Sequence, residues 1–435
     1  MKKILVFGAG KSAGVLIKTL LGAAPAEGFS VIVADINSEL ASSRIGNSAF
    51  GRSVSFPVND ASRRFAEINS ADLVISLLPP ALHILVARDC LKAGKDLLTA
   101  SYVDTEMAAL HAEAETNGLL FLCETGLDPG IDHMSAMRLI ESIRDRGGQI
   151  TGFFSHCGGL VAPKSDDNPW HYKISWNPAN IVQAGRDGAR FIRNGQEVVV
   201  DRESLFNNPG NLVFPGYGPW QYYANRDSTS YRSLYKLEHA SDFLRTTIRH
   251  PAFMRAWLAV VKSGLIDTTD VSGTYAGWAE TRLKPWLTSD NQAALDYLGF
   301  FSQEFIPEKL TSGAAVLQYL LETKLAMKEH DKDLVLMVHQ VFYTLGTERR
   351  LAQSYFSLEG TDVQKTAMAT TVGLPLARAA QIMLKKGFAA RGVQVPVLPE
   401  IYEPLLKRLE EDGIVFQETD ELVTPGSNSA DPATL

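Results

Sequence analysis

The opening of the chain constrains the fold more than any other stretch. Ile4-Leu5-Val6-Phe7 is a continuous apolar run, Gly8-x-Gly10 follows it, and from Ala13 to Leu21 apolar residues recur at helical spacing. A strand with no polar alternation is covered on both faces, and a glycine turn that feeds it straight into a helix is how a parallel α/β sheet begins. The pattern then repeats. Residues 31–34 form a second apolar run closing at Asp35, residues 54–58 a third ending in Asn59-Asp60, and residues 73–78 a fourth stopped by Pro79-Pro80. Residues 97–99 and 119–122 supply two more. Such strands, separated by amphipathic helices, predict a parallel sheet over roughly the first 130 residues.

A chain of 435 residues exceeds one ordinary domain, and the pattern does change beyond residue 150. Strand-like runs at 150–156 and 197–200 mix with Pro, Gly, Asn and aromatic residues, which predicts a mixed or antiparallel sheet in a second domain. Residues 241–327 read as mostly helical, 334–341 and 350–358 as strands separated by Gly346-Thr347, and 363–387 and 399–412 as helices. Residues 424–435, rich in Pro, Ser, Gly and Asn, are expected to be disordered.

A net charge of −7 argues against nucleic acid or an anionic membrane as the main partner. No apolar run is long enough to span a bilayer. Cys90, Cys123 and Cys157 have no metal-ligand spacing and read as free thiols in a reducing compartment. The first strand starts at once, without a secretory leader ahead of it, so a cytoplasmic location is expected and no metal site.

Gly8-x-Gly10-x-x-Ala13 stands between strand and helix, the context that a dinucleotide fingerprint requires. The first glycine permits the tight turn, the second admits a pyrophosphate to the backbone, and Ala13 allows close helix–sheet packing. The helix N-terminus offers free N–H groups to phosphates. Asp35 closes the second strand, where a carboxylate can accept hydrogen bonds from ribose hydroxyls and repel a 2′-phosphate. Ile36-Asn37-Ser38 follow it with no arginine among them, which favours NAD and leaves NADP possible. A helix cap is the plain alternative for Asp35. Asn59-Asp60 would border the adenine and Leu78-Pro79-Pro80 the nicotinamide side, unless they are simple loop residues.

Thr99-Ala100-Ser101-Tyr102 and the run from Cys123 to Asp128 end the next two strands, and ligands of open α/β sheets bind outside the carboxyl ends of strands. Asp128-Pro129-Gly130 reads as a tight turn, with Asp128 either a substrate contact or a turn residue. Asp132-His133 reads as the start of a helix, with Asp132 in a capping role. In the second domain, Arg226 and Arg249 are two planar forks suited to carboxylates, although each alone is more often an ion-pair or surface residue. Cys157-Gly158-Gly159-Leu160, Asn168-Pro169 and Tyr172-Lys173-Ile174-Ser175-Trp176 have the loop-rich polar composition of a cleft lining.

Together these motifs resemble the saccharopine dehydrogenase (L-glutamate-forming) family over nearly the whole chain. Gly126-Leu127-Asp128-Pro129-Gly130-Ile131-Asp132-His133 and Asn225-Arg226-Asp227-Ser228-Thr229 are its most specific parts, with Arg245-Thr246-Thr247-Ile248-Arg249 beside them. The resemblance implies a Rossmann dinucleotide-binding domain over 1–130, completed by about 375–423. An α/β mixed-sheet substrate and dimerisation domain would take 131–240 and 328–374, with a small helical insertion at 241–327. It implies interconversion of saccharopine with L-glutamate and 2-aminoadipate 6-semialdehyde in lysine metabolism, by hydride transfer and imine hydrolysis, in a homodimer.

The resemblance places substrate against Ser101, Tyr102, Asp128, Arg226, Thr247, Ile248 and Arg249. It places cofactor against Gly8, Gly10, Lys11, Ser12, Ala13, Asp35, Asn59, Asp60, Leu78, Ser101, Leu127, Asp128, Pro129 and Ser175. Asp128 and Tyr102 are the catalytic candidates for polarising a group or relaying a proton. Two departures stand out: the acid at Asp35, and Val161 and Lys164 where relatives carry proline and glutamate. The rival readings are a carboxynorspermidine-type reductive-amination dehydrogenase and a nucleotide-sensing protein without turnover.

Overall fold

The computed structural model describes residues 1–176, 178–184 and 188–423, so the tail expected to be disordered lies outside the described residues. The described residues divide into two units, Met1–Arg138 with Gln364–Val415, and Leu139–Val363 with residues 416–423.

The first unit alternates β1 (Lys2–Phe7), α1 (Ala13–Glu27), β2 (Phe29–Asp35), α2 (Ser38–Ile45), β3 (Gly51–Ser55), α3 (Ala61–Ser70), β4 (Leu73–Ser76), α4 (His83–Ala93), β5 (Asp96–Thr99) and β6 (Leu120–Leu122). The helix Ile131–Asp145 follows and carries the chain out of this unit. Val15, Leu16, Ile17, Leu20, Leu21 and Ala24 of α1 are buried, as the helical spacing demands, and Gly28 ends the helix in a left-handed conformation.

The second unit holds β7 (Gln149–Val161), β8 (Ala189–Arg193), β9 (Gln196–Val200), β10 (Gly210–Phe214), β11 (Tyr217–Ala224), β12 (Asp242–Arg249), β13 (Asp333–Leu345) and β14 (Glu348–Glu359). The chain then returns to the first sheet as β15 (Gly392–Gln394) and to the second as β16 (Gln417–Leu422).

The first sheet runs β15-β6-β5-β4-β1-β2-β3, with every pairing parallel. Strand order reverses between β1 and β4, so the crevice where such sheets bind ligands opens at the carboxyl ends of those two strands. The second sheet runs β10-β11-β12-β7-β13-β14-β16, with β8 and β9 attached beside β12. Only its β7–β12 pairing is parallel, and the others are antiparallel. This is the α/β architecture with a second, mixed sheet that the sequence predicted.

Four expectations need correction. The third strand is Gly51–Ser55 rather than 54–58: it is the polar edge of the sheet, and Pro57, which has no N–H to donate, lies just past its end. The fourth strand stops at Ser76, which leaves Leu77 and Leu78 in the following loop. The start of the region read as helical is the strand β12, where Phe243, Leu244 and Ile248 are fully buried between β7 and β11. Finally, residues 416–423 belong to the second unit rather than completing the first. Gln-Glu-Thr-Asp-Glu-Leu of β16 has no apolar face to announce a strand. The backbone ladder to β14 holds it, with the Asp420 carboxylate accepting from Arg350 Nε at 3.0 Å, Arg146 Nη1 at 2.9 Å and Tyr343 Oη at 2.7 Å.

Candidate functional site

The first unit brings the glycine turn, Asp35, Leu78, Ser101 and the 124–133 loop to the carboxyl ends of its strands. At the end of β1, Gly8 has φ +97°, and a Cβ there would lie 2.8 Å from the Leu77 carbonyl oxygen. A side chain is excluded twice, by conformation and by the close approach of the β4 loop. At Gly10 the space is open, with nothing within 4 Å of the Cβ position. Ser12 precedes α1 without a side-chain cap, so the first N–H groups of the helix have no side chain competing for them. Arg44 of α2 holds the turn from outside, donating from Nε to the Ala9 carbonyl at 3.1 Å and from Nη2 to the Gly10 carbonyl at 3.2 Å. An open backbone at the N-terminus of an uncapped helix fits a pyrophosphate. Lys11 is exposed, Ser12 half-buried and Ala13 buried.

Asp35 is not the cap of α2, since Asn37 fills that position by accepting from Leu40 N. The Asp35 carboxylate instead accepts from Ala9 N at 2.7 Å and from Asn37 N at 2.8 Å, which ties the end of β2 to the glycine turn. Asp60, in contrast, caps α3 by accepting from Arg63 N at 3.1 Å, and Asn59 beside it is exposed.

The 124–133 loop is built around backbone geometry that its sequence hardly advertises. Glu124 has φ +52°; its carboxylate accepts from Val103 N at 3.0 Å and lies 2.8 Å from His133 Nε2, with both residues buried. Gly126 N donates to the Pro129 carbonyl at 2.9 Å, closing a turn through the cis Asp128–Pro129 bond. Asp132 sits one residue inside the helix rather than capping it from outside, and its carboxylate turns back to accept from Gly130 N at 2.6 Å. The result is a rigid turn that leaves Asp128 half-buried, while Leu127 and Pro129 are buried. Tyr102 Oη donates to Asp128 Oδ1 at 3.4 Å, which joins the two catalytic candidates. Cys123 is buried, and burial pushes its thiol well above the ordinary range, so it offers no thiolate at neutral pH.

Sequence reasoning missed His83. It opens α4 directly after the Pro79-Pro80 loop, and its ring joins Ser76 Oγ (2.8 Å from Nδ1) to Ser101 Oγ (2.7 Å from Nε2). Burial pulls its pKa down to about 4, so the imidazole is neutral at pH 7. Nothing in the local pattern distinguishes it from a core histidine, because its partners come from two other strand ends.

In the second unit, Arg249 ends β12 and is 3% exposed. Its guanidinium lies over the Tyr172 and Phe253 rings, 5.2 and 5.5 Å from their centroids. Its Nη1 donates to the Ile248 carbonyl at 2.7 Å, and its Nε is buried without a hydrogen-bond partner. Among the described residues no carboxylate pairs with it. Thr247, half-buried, and the buried Ile248 precede it on the same strand. Arg226 differs: it is exposed, takes φ +50° in the turn after β11, and accepts from Arg190 N at its carbonyl. Lys173 is already committed, at 2.7 Å from Asp331 Oδ2 and 2.8 Å from Asp167 Oδ1, and Ser175 is buried nearby in sequence. Lys164 is exposed. No cluster of metal-ligating residues occurs among the described residues, and none of their helices is long and apolar enough to cross a membrane.

Two family models match the chain: the saccharopine dehydrogenase NADP binding domain over residues 4–122 and the saccharopine dehydrogenase C-terminal domain over residues 126–414. An alpha-aminoadipic semialdehyde synthase of Arabidopsis thaliana is 32% identical over 93% of this chain, which spans 42% of that protein. A saccharopine dehydrogenase [NADP(+), L-glutamate-forming] of Pyricularia oryzae is 30% identical over 94% of this chain and 97% of its own length. The chain thus spans about two fifths of the length of the plant relative and nearly all of the fungal one. Among solved structures, apo saccharopine dehydrogenase (L-Glu forming) from Saccharomyces cerevisiae superposes with a TM-score of 0.87 at 27% identity, covering 97% of this chain and 100% of that one. A homospermidine synthase from Legionella pneumophila, at 9% identity and a TM-score of 0.57, shares the fold.

Proposed function

The chain belongs to the saccharopine dehydrogenase family, and on that premise we propose that it interconverts saccharopine and water with L-glutamate and 2-aminoadipate 6-semialdehyde. A bound nicotinamide dinucleotide would supply the hydride acceptor, held at the glycine turn by Gly8, Gly10 and the open end of α1. The chain's own residues must bind carboxylates, orient the secondary amine and move protons.

Arg249 carries the reading within the molecule. A nearly buried guanidinium with an unpartnered Nε and no carboxylate of its own is an expensive feature unless a ligand completes it. Saccharopine carries three carboxylates, and Arg249 and Arg226 are assigned to them. Tyr102 and Asp128, joined by a hydrogen bond, are assigned to proton handling at the amine. Thr247 and Ile248 are assigned to the substrate with Arg249, and Ser101 to both ligands. Leu78, Leu127, Pro129 and Ser175 are assigned to the dinucleotide, as are Asn59 and Asp60 through their exposed faces. A reducing cytoplasm is part of the same proposal, supported by the three buried free thiols; a homodimer is proposed on the family resemblance, and light scattering on the eluting protein reads the assembly state.

The test mixes purified protein with saccharopine and either dinucleotide and follows absorbance of the reduced nicotinamide. Turnover supports the assignment, and its absence with both dinucleotides would leave a binding protein. The Arg226→Ala variant is expected to raise the KM for saccharopine by about tenfold with dinucleotide affinity unchanged, since an exposed charge pair contributes little more. An unchanged KM removes Arg226 from the substrate site.

The choice of dinucleotide is proposed on Asp35. The name of the Pyricularia oryzae relative specifies NADP, whereas the Asp35 carboxylate, anchored to Ala9 N, would repel a 2′-phosphate at the end of β2. NAD is therefore the proposed cofactor, with NADP accepted more weakly. Asp35→Ser is expected to move the NAD-to-NADP preference by at least about tenfold toward NADP, the size of one removed charge repulsion. Titration of both reduced dinucleotides by fluorescence checks it, and an unmoved ratio would assign the preference elsewhere.

A further inference from the structure

Ser76, His83 and Ser101 form a hydrogen-bonded chain linking the end of β4, the start of α4 and the loop after β5. Counting protons along it decides what Ser101 presents to its surroundings. Ser76 is fully buried, and its hydroxyl has no other hydrogen bond among the described residues. If His83 carried its proton on Nδ1, that N–H would donate to Ser76 Oγ, and the Ser76 hydroxyl proton would have no acceptor. A buried unsatisfied donor costs about 1–3 kcal/mol. The other tautomer leaves no fully buried donor stranded: Ser76 Oγ–H donates to Nδ1, Nε2–H donates to Ser101 Oγ, and the proton left over is that of the half-buried Ser101 hydroxyl, which points away from the histidine.

The chain ends at a buried hydroxyl, so it does not conduct protons to solvent; what it can do is set polarity. The Ser101 backbone is held as well, since its N–H donates to Thr99 Oγ1 at 3.2 Å and its carbonyl accepts from Glu124 N at 3.1 Å. We propose that His83 is a positioning residue that fixes the Ser101 hydroxyl as a hydrogen-bond donor toward a carbonyl or carboxylate oxygen of a bound ligand. The proposal rests on the reading of this loop as a ligand site. The oxygen is either the carboxamide oxygen of the nicotinamide or a carboxylate of the substrate.

Selective 15N labelling of histidine tests the tautomer in the full chain without ligand, with the His83 signal assigned from a His83→Phe sample. At pH 7 the resonance pattern is expected to show protonated Nε2 and unprotonated Nδ1. A protonated Nδ1, or an imidazolium, overturns the proposal. The variants then test the consequence. His83→Phe is expected to weaken one ligand by about tenfold, the size of one oriented hydrogen bond, and His83→Gln, which keeps an amide donor, to recover most of it. Weaker binding of reduced dinucleotide identifies the carboxamide oxygen. A raised saccharopine KM at saturating dinucleotide, with dinucleotide affinity intact, identifies a substrate carboxylate. A folded His83→Phe protein with both quantities unchanged refutes the positioning role, and so does a Gln variant no better than Phe. Should the Phe variant fail to fold, the tautomer measurement with the Gln variant decides. Absence of saccharopine turnover would remove the proposed function, while the tautomer and the dinucleotide affinity still judge His83.

Discussion

The Arg249→Met variant is expected to lose saccharopine affinity by about a hundredfold or more, within the range for truncating one partner of a buried charge pair, while the ligand-free protein remains as stable as before. Both halves follow from the same geometry. Arg249 is nearly buried, stacks over Tyr172 and Phe253, and has a buried Nε with no partner. Methionine fills a similar volume between the same rings, forfeits a cation–π contribution of about 1–2 kcal/mol, and relieves a comparable cost of burying an incompletely satisfied cation. A structural arginine would behave in the opposite way, since its removal leaves its partners stranded and lowers the melting temperature. The measurements are thermal unfolding of both proteins with and without saccharopine, and the steady-state KM. Loss of stability without ligand, with an unchanged KM in whatever remains folded, would return Arg249 to the core and take away the observation on which the substrate assignment leans most. Adding saccharopine should raise the melting temperature of the parent and leave that of the variant where it was, because stabilisation by a ligand requires binding to the native state.

Substituting Gly130 by alanine should abolish activity and cost more than about 3 kcal/mol of stability, since a glycine-only backbone conformation and a severe clash add together. Gly130 has φ +146°, and a Cβ on it would lie 2.2 Å from both the amide nitrogen and the carbonyl oxygen of Gly126. Neither atom belongs to a flexible side chain, so the clash is relieved only by opening the turn. That turn carries Asp128 and is tied to the following helix by Ile131 N to the Gly126 carbonyl and by Gly130 N to Asp132. Opening it therefore dislodges the proposed proton-handling pair, together with Leu127 and Pro129. Urea unfolding and dinucleotide titration read the two effects separately. A variant that folds with parental stability would mean that the turn tolerates another geometry and that its rigidity is not what positions Asp128.

The two arginines show where local reading stops. Both read as candidate carboxylate ligands by residue type, yet nothing in the Asn-Arg-Asp-Ser-Thr or Arg-Thr-Thr-Ile-Arg runs says that one is exposed and the other enclosed by aromatic rings. Their difference arises because Arg249 lies on a strand covered on both faces, whereas Arg226 lies in a turn. The region containing Arg249 even reads as helical, since apolar residues three and four apart also occur in a strand that is buried throughout.

Alone, the sequence determined what depends on residues near one another along the chain: apolar strands alternating with helices, the glycine turn after β1, an acid at the end of β2, and the motifs that announce the family. These are consequences of steric limits and periodicity, which act over a few residues. Tertiary structure decided what depends on residues brought together from afar. It made Asp35 a partner of the glycine turn, bound Glu124 to His133 inside the loop, drew β16 back to the second sheet, and set His83 between two serines from other strand ends. A hydrogen bond or a desolvated charge takes its energy from its surroundings in space, and those surroundings exist only once the sheets have formed.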